Sequence, residues 1–240
     1  QNPRGALVHL GSETPQFVAH LADPVMGTAT SDNTLWYIDS SGQLKRMSTV
    51  SEDESQDLPA DVQNGWVISV TALPDQTIWV STATGVSFLP GESQSWRTFD
   101  SARTGLQGPI VEFDGAPDGA IWGLQTHTFE ESIWRSWGIS ILRPDGSDTW
   151  LNINMRQLTG LEAPTTPDAL ATDAYGRAWF MAESDYLRMR YLGILTPHGE
   201  LAQVVALGAL TDDPYGVFSD GAGGIYLYSG ESEPLRHWRP

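Results

Sequence analysis

An all-β fold is predicted, a single β-propeller of about five four-stranded blades, from a motif that recurs at blade spacing and from short strand-like runs separated by proline and glycine turns. The motif is an acidic or polar turn, then an aliphatic residue, then an aromatic one. It reads Asp32-Asn33-Thr34-Leu35-Trp36, Asp75-Gln76-Thr77-Ile78-Trp79 and Asp118-Gly119-Ala120-Ile121-Trp122, with looser forms ending in Ala178-Trp179 and Ile225-Tyr226. These aromatics are 43, 43, 57 and 47 residues apart, and a blade of four short strands takes roughly 40–50 residues. Rings at one phase of every repeat bury large apolar area between neighbouring blades, so Trp36, Trp79, Trp122, Trp179 and Tyr226 are predicted to be core rather than a sugar-binding set.

The second repeat shows the strand order. Val67, Ile68 and Val70 lie in a first strand over 66–72, Pro74-Asp75-Gln76 turns it, and 77–82 returns. A third strand over 85–89 turns at Pro90-Gly91-Glu92 into a fourth at 96–99. Similar turns recur at Arg143-Pro144-Asp145-Gly146 and Thr196-Pro197-His198-Gly199, where proline presets φ and glycine accepts φ > 0. No stretch reads as a helix; 201–210, which comes nearest, falls where a fourth strand is due. Because free sheet edges invite unwanted pairing, the last blade is expected to be closed by strands from both termini. Gly5 to Leu21 resembles a third-and-fourth-strand hairpin, and Tyr215 to Tyr228 a first and second strand. Residues 234–238 look like another third strand and do not fit that closure.

One domain spanning 1–240 is expected, because 240 residues of which 40% are hydrophobic suffice for one sizeable core. No apolar run reaches the ~20 residues of a membrane helix, so no membrane insertion by this chain is expected. With no cysteine in the chain, disulfides, thiolate metal sites and cysteine nucleophiles are excluded. The net charge is −17 and Lys45 is the only lysine. Nucleic acid and anionic membranes are therefore poor partners, since phosphate binding requires a basic stripe.

Asp75 to Ser87, reading D-Q-T-I-W-V-S-T-A-T-G-V-S, resembles the repeat of the two-component regulator propeller family. Asp118 to Leu124 matches the first half of that repeat, and Ser95 to Phe99 with Thr104-Gly105-Leu106 is similar to the family's inter-blade segment. The resemblance implies an extracytoplasmic bacterial ligand-sensing or interaction propeller, a location with which a start at Gln1 rather than Met agrees. This chain has fewer blades than is usual there and no signalling portion. The motif residues of the family are structural, so the resemblance implies no catalytic residue, and no cofactor is expected.

Extra residues that break the repeat are the better guide to a site, because loops on a rigid scaffold display binding groups. The third repeat inserts 126–137 between its second and third strands, with Glu130, Glu131, Trp134, Arg135 and Trp137. The fourth inserts 183–191 at the same junction, with Asp185, Tyr186, Arg188, Arg190 and Tyr191. That junction opens on one face in every blade, so the two insertions would form one raised patch, rich in the Trp, Tyr and Arg of interaction hot spots. Equally, longer hairpins could merely extend the sheet. Ser51 to Asp57 is an acidic run without calcium-loop spacing, read as a solvated loop. The segment 152–169, with Met155, Arg156 and Leu158, is expected over the channel mouth.

The histidines, His9, His20, His127, His198 and His237, show no metal-ligand spacing, and no metal site is predicted. The leading function is a non-catalytic recognition module for a protein partner or envelope component. Two alternatives stand beside it. One is a carbohydrate-active or lyase-type enzyme using carboxylates such as Glu112 or Asp114 near an innermost strand; the other is a constitutive structural subunit of an envelope assembly.

Overall fold

The computed structural model describes residues 5–9, 16–21, 24–29, 34–39, 44–48, 51–55, 67–73, 75–82, 85–90, 95–100, 105–106, 108–128, 134–143, 149–155, 165–184, 189–208, 216–228 and 236–239, some of them by their backbone alone. Every regular element among them is a β-strand. The chain divides into two compact units, Gln1–Thr98 and Phe99–Pro240.

In the first unit β1 (Gly5–His9) and β2 (Gln16–Leu21) form a two-stranded sheet. Two four-stranded sheets follow in chain order: β3 (Pro24–Ala29), β4 (Thr34–Asp39), β5 (Leu44–Ser48) and β6 (Ser51–Ser55), then β7 (Val67–Ala72), β8 (Ile78–Thr82), β9 (Gly85–Leu89) and β10 (Arg97–Asp100). The acidic run expected to be a loop is therefore, over Ser51–Ser55, an outer edge strand. Its backbone register sets Glu54 opposite Arg46 and Ser55 opposite Lys45, and an edge strand accepts charged residues.

The second unit repeats the pattern with β11 (Ile110–Gly115), β12 (Ile121–Thr128), β13 (Trp134–Leu142) and β14 (Trp150–Asn154). The next sheet holds β15 (Thr165–Thr172), β16 (Ala178–Ser184), β17 (Arg190–Leu195) and β18 (Leu201–Gly208). A three-stranded sheet of β19 (Gly216–Ser219), β20 (Ile225–Tyr228) and β21 (Arg236–Trp238) completes it. The helix-like stretch from Leu201 is thus a strand, as its place in the repeat requires. Residues 236–238, which the closure by both termini left over, pair with β20. The third strand of that sheet is consequently C-terminal, and the Gly5–Leu21 hairpin makes its own sheet.

Sheets pack face to face through the repeat aromatics. Trp36 shares a buried cluster with Val70, Ile78 and Val80 of the following sheet, Trp122 with Leu170, Ala178 and Phe180, and Trp179 with Val217, Ile225 and Leu227. Central strands covered on both faces read as near-continuous apolar runs, and all five residues Thr34 to Ile38 are buried. Stacked four-stranded meanders of this kind are propeller blades. Tyr226 corrects the core expectation: it is 36% exposed, while Trp36, Trp79, Trp122 and Trp179 are 5% or less. Met155, expected at a channel mouth, is buried in the core with Trp122 and Ile139.

The first-to-second-strand turns share one geometry. In three of them the first residue's N–H donates to the fifth's carbonyl and the fourth's N–H to the first's carbonyl, as Asp173–Arg177 and Gly176–Asp173 illustrate. The fourth position has positive φ at Gln76, Gly119, Gly176 and Gly223, which glycine adopts without a Cβ clash.

Close packing also explains Gly193, where a Cβ would enter the Phe180 ring, itself fully buried. Gly193→Ala is expected to destabilise by about 2–3 kcal/mol through overpacking. Urea unfolding measures this, and Phe180→Leu in the same chain should recover part of the loss.

Candidate functional site

The first strand of each four-stranded sheet carries one bulge at a constant place. Val25, Ile68, Val111 and Asp168 are each skipped in the ladder between first and second strands, and each stands eleven residues before its repeat tryptophan. Bulges re-aim a side chain. Three of the four are β-branched and apolar; the fourth is an aspartate, and Arg190 on β17 donates a charge-assisted hydrogen bond to it.

Next to the bulge in the third sheet stands Glu112. As the edge strand of its sheet, β15 has outward amides that no ladder uses. The Leu170 N–H donates to Glu112 Oε2 at 3.2 Å and the Thr172 N–H to Asp114 Oδ2 at 2.6 Å. Asp114 has a counterpart in the first unit: at the same repeat position Thr28 Oγ1 accepts the Ala72 N–H at 3.0 Å. Hence Asp114 does a stapling job that a neutral hydroxyl also does. Glu112 has no such precedent, since Met26 and Ser69 hold its place in the first two repeats.

These carboxyls are electrostatically crowded. Burial lifts Glu112, the Leu170 amide draws it back, and the charges of Asp114 and Asp168 push it up again, leaving it at about 7. Burial also raises Asp114, against the amides of Thr172 and Gly115. Asp168 is raised by burial as well, opposed by Arg190 and reinforced by Glu183. A carboxyl near 7 exchanges its proton at neutral pH, the property asked of a general acid–base group or of a ligand contact that responds to charge. No group of three or more His, Asp or Glu side chains among the described residues is placed to hold a metal ion.

The long β12–β13 hairpin lies at this end. The β11–β12 ladder stops at Ile110–Gln125, whereas β12 and β13 run on to Thr128–Trp134. In the next sheet Thr165–Ser184 and Glu183–Arg190 mark the same end, two or three residues from Asp168. The described part of the first insertion lengthens β12 and β13; the tips of both insertions lie outside the described residues.

Of the residues named from sequence, Glu130, Glu131, Asp185, Tyr186 and Arg188 lie outside the described residues. Trp134, Arg135 and Trp137 belong to β13, of which this stretch is described by backbone alone. Arg190 turns to Asp168. Tyr191 pairs with Ala182 and is 3% exposed, a buried position. Glu112 and Asp114, named for the enzyme alternative, both lie within β11 (Ile110–Gly115), the first strand of its sheet. Asp168 was missed, although superposing the repeats shows an aspartate where Val25, Ile68 and Val111 stand.

The sequence matches no family model and no curated protein. Solved structures are similar in fold. The extracellular domain of BT4673 from B. thetaiotaomicron, described as a hybrid two-component system, is 18% identical with a TM-score of 0.58 over 93% of this chain, which spans 29% of that one. YCF48 bound to D1 peptide is 11% identical with a TM-score of 0.59 over 90% of this chain and 66% of its own. XC5397 from Xanthomonas campestris, described as a gluconolactonase, is 14% identical with a TM-score of 0.58, covering 91% of this chain and 73% of its own. Likeness at such identity extends to architecture alone, and with the stacked meanders and the recurring tryptophan it establishes the chain as an all-β propeller protein.

Proposed function

We propose that the chain is a non-catalytic recognition module of an extracytoplasmic bacterial protein. It holds a protein partner or an envelope ligand against the raised end of the third and fourth four-stranded sheets. What supports this reading is the coincidence, at one end of two successive sheets, of the long β12–β13 hairpin with Glu112 and Asp168, which break the repeat, and with Arg190, which pairs with Asp168. Trp134, Arg135 and Trp137 on one hairpin and Tyr186 and Arg188 on the other supply the contact chemistry. The likeness to a sensor's extracellular domain and to a peptide-bound propeller supports a binding role and the location.

The test is affinity capture from a native envelope extract with wild type and a Trp134→Ala, Arg188→Ala double variant. The expected result is a species held by wild type and reduced at least tenfold by the variant, with an unchanged melting temperature. Equal capture by both, or a parallel loss of stability, overturns the reading.

One observation favours an enzyme instead: the Glu112 carboxyl at about 7, beside two other carboxylates. Turnover of a lactone or a uronate oligomer that Glu112→Gln abolishes would establish it.

A further inference from the structure

β11 and β15 are the first strands of the third and fourth four-stranded sheets and an edge of each, and hydrogen bonds cross from one edge to the other. Thr172 makes a double rung: its N–H donates to Asp114 Oδ2 at 2.6 Å and its hydroxyl to the Gly115 carbonyl at 3.0 Å. The Gly115 N–H, donating to Oδ1 at 2.8 Å, holds the same carboxylate in place. Two residues nearer the raised end stands a weaker rung, from the Leu170 N–H to Glu112 Oε2 at 3.2 Å. It depends on one oxygen at the tip of a long, half-buried side chain. The strand beside it is loosened too, since Val111 is the residue that the ladder to β12 skips.

The surroundings of this rung oppose a charge on it. Asp114 of its own strand and Asp168 of β15 both act on Glu112. The guanidinium of Arg190 on β17 is engaged by Asp168, and Glu183 of β16 adds negative charge beside that pair. On β12 the cross-strand partner of Glu112 is Leu124, buried and apolar. Among the described residues an ionised Glu112 therefore faces two carboxylates, and the one cation at hand is already held by an anion. A protonated Glu112 meets no such repulsion and still accepts the Leu170 N–H through its carbonyl oxygen. At the same place the other four-stranded sheets carry Met26, Ser69 and Ala169, none of which titrates.

We propose that Glu112 is a proton-operated latch on the seam between β11 and β15. Protonated, its side chain lies in against Leu170 and fastens the raised end. Ionised, it swings out to water more often and leaves the Leu170 amide open, while Thr172 keeps the lower rung. The closed form stays the major one throughout, so what changes with pH is how often the upper rung opens. Folded in, the carboxyl titrates at about 7, against 4.5 for an unperturbed one. Opening therefore releases a proton between those values and becomes easier as pH rises, by about tenfold from pH 6 to pH 8. The latch bears on the recognition reading without resting on it, because the firmness of this end follows pH whatever ligand meets it.

The test is residue-resolved hydrogen exchange of the full chain by NMR at pH 6, 7 and 8, each rate divided by the intrinsic rate at that pH. The expected result is a Leu170 protection factor that falls about tenfold from pH 6 to pH 8 and lies well below those of Thr172 and of Phe180 and Leu192 in the central strands. Low concentrations of urea separate local from global opening. Leu170 should be nearly indifferent to them, whereas the central-strand amides should lose protection with the slope of whole-chain unfolding. In Glu112→Gln the Leu170 protection should change less than twofold over the same pH range. Protection of Leu170 that is independent of pH overturns the proposal. So does a urea slope equal to that of the central strands, which would mean that this amide opens only when the chain unfolds, and so does a pH dependence that survives in Glu112→Gln.

Discussion

Asp173→Ala is expected to lower the unfolding free energy by about 3–5 kcal/mol in urea at pH 7, the range for removing one member of a buried ion pair with hydrogen-bonded partners. Asp173 is 2% exposed and has four donors. Its Oδ1 takes the amides of Tyr175 and Arg177 at 2.9 and 3.1 Å, and its Oδ2 takes Arg177 Nε at 2.7 Å and the Trp179 indole N–H at 2.8 Å. Truncation leaves a buried indole donor and two turn amides unmet, and frees the guanidinium that lies over the Tyr175 and Trp179 rings. The third repeat limits the argument usefully. There Ala116 stands at the position of Asp173, and the Trp122 indole N–H is buried with no hydrogen-bond partner among the described residues. An unmet indole alone therefore costs about 1–3 kcal/mol and is tolerated. A loss confined to that range would mean that the arginine and the turn amides find other partners. Asp173→Asn, which keeps an acceptor at Oδ1, should lose clearly less than the alanine variant.

The sheets were legible because their signals are local. A tryptophan at constant phase after a tight turn marks the second strand, and strand length leaves little freedom for its neighbours. Where legibility failed, a neighbour decided the outcome. Tyr226 has the phase of a core aromatic, yet what buries Trp179 is the next sheet, and no property of position 226 reports whether its outer face is covered. Ser51–Ser55 has the composition of a loop, but an outer edge strand is solvated enough to accept it, especially opposite Lys45 and Arg46. The candidate site divides in the same way. Glu112 and Asp114 could be named from their place on a first strand. The equivalence of Asp114 with Thr28 became visible only through the amide each accepts from the following sheet. Asp168 stands at the same distance before its tryptophan as Val25, Ile68 and Val111 do before theirs, so comparison of the repeats exposes it; what sequence alone does not show is the bulge that sets these positions apart.

Glu112→Gln is expected to stabilise the protein at pH 8 by about 2–3 kcal/mol and to leave it nearly unchanged at pH 4. The Glu112 carboxyl rises from 4.5 to about 7 on folding, so between those values the folded state holds a proton that the unfolded chain releases. Stability therefore falls as pH rises through this window and stays reduced above it; below it both states are protonated and the penalty vanishes. At about 1.4 kcal/mol per unit the full shift sets a ceiling near 3 kcal/mol. Glutamine removes the charge while its carbonyl still accepts the Leu170 N–H. Thermal melts of both proteins from pH 4 to 8 should give curves that coincide in acid and diverge by about 5–9 °C at pH 8. Parallel curves would mean that Glu112 ionises alike in the folded and unfolded states. Divergence would mean that the fold bears a cost at this position which neither Met26 nor Ser69 imposes in the earlier repeats. A sheet edge that Thr28 staples with a hydroxyl needs no such cost. If the raised end of these sheets binds a ligand, the more stable Glu112→Gln protein should also bind it less well at neutral pH, since stability gained at the expense of function marks a residue kept for its chemistry.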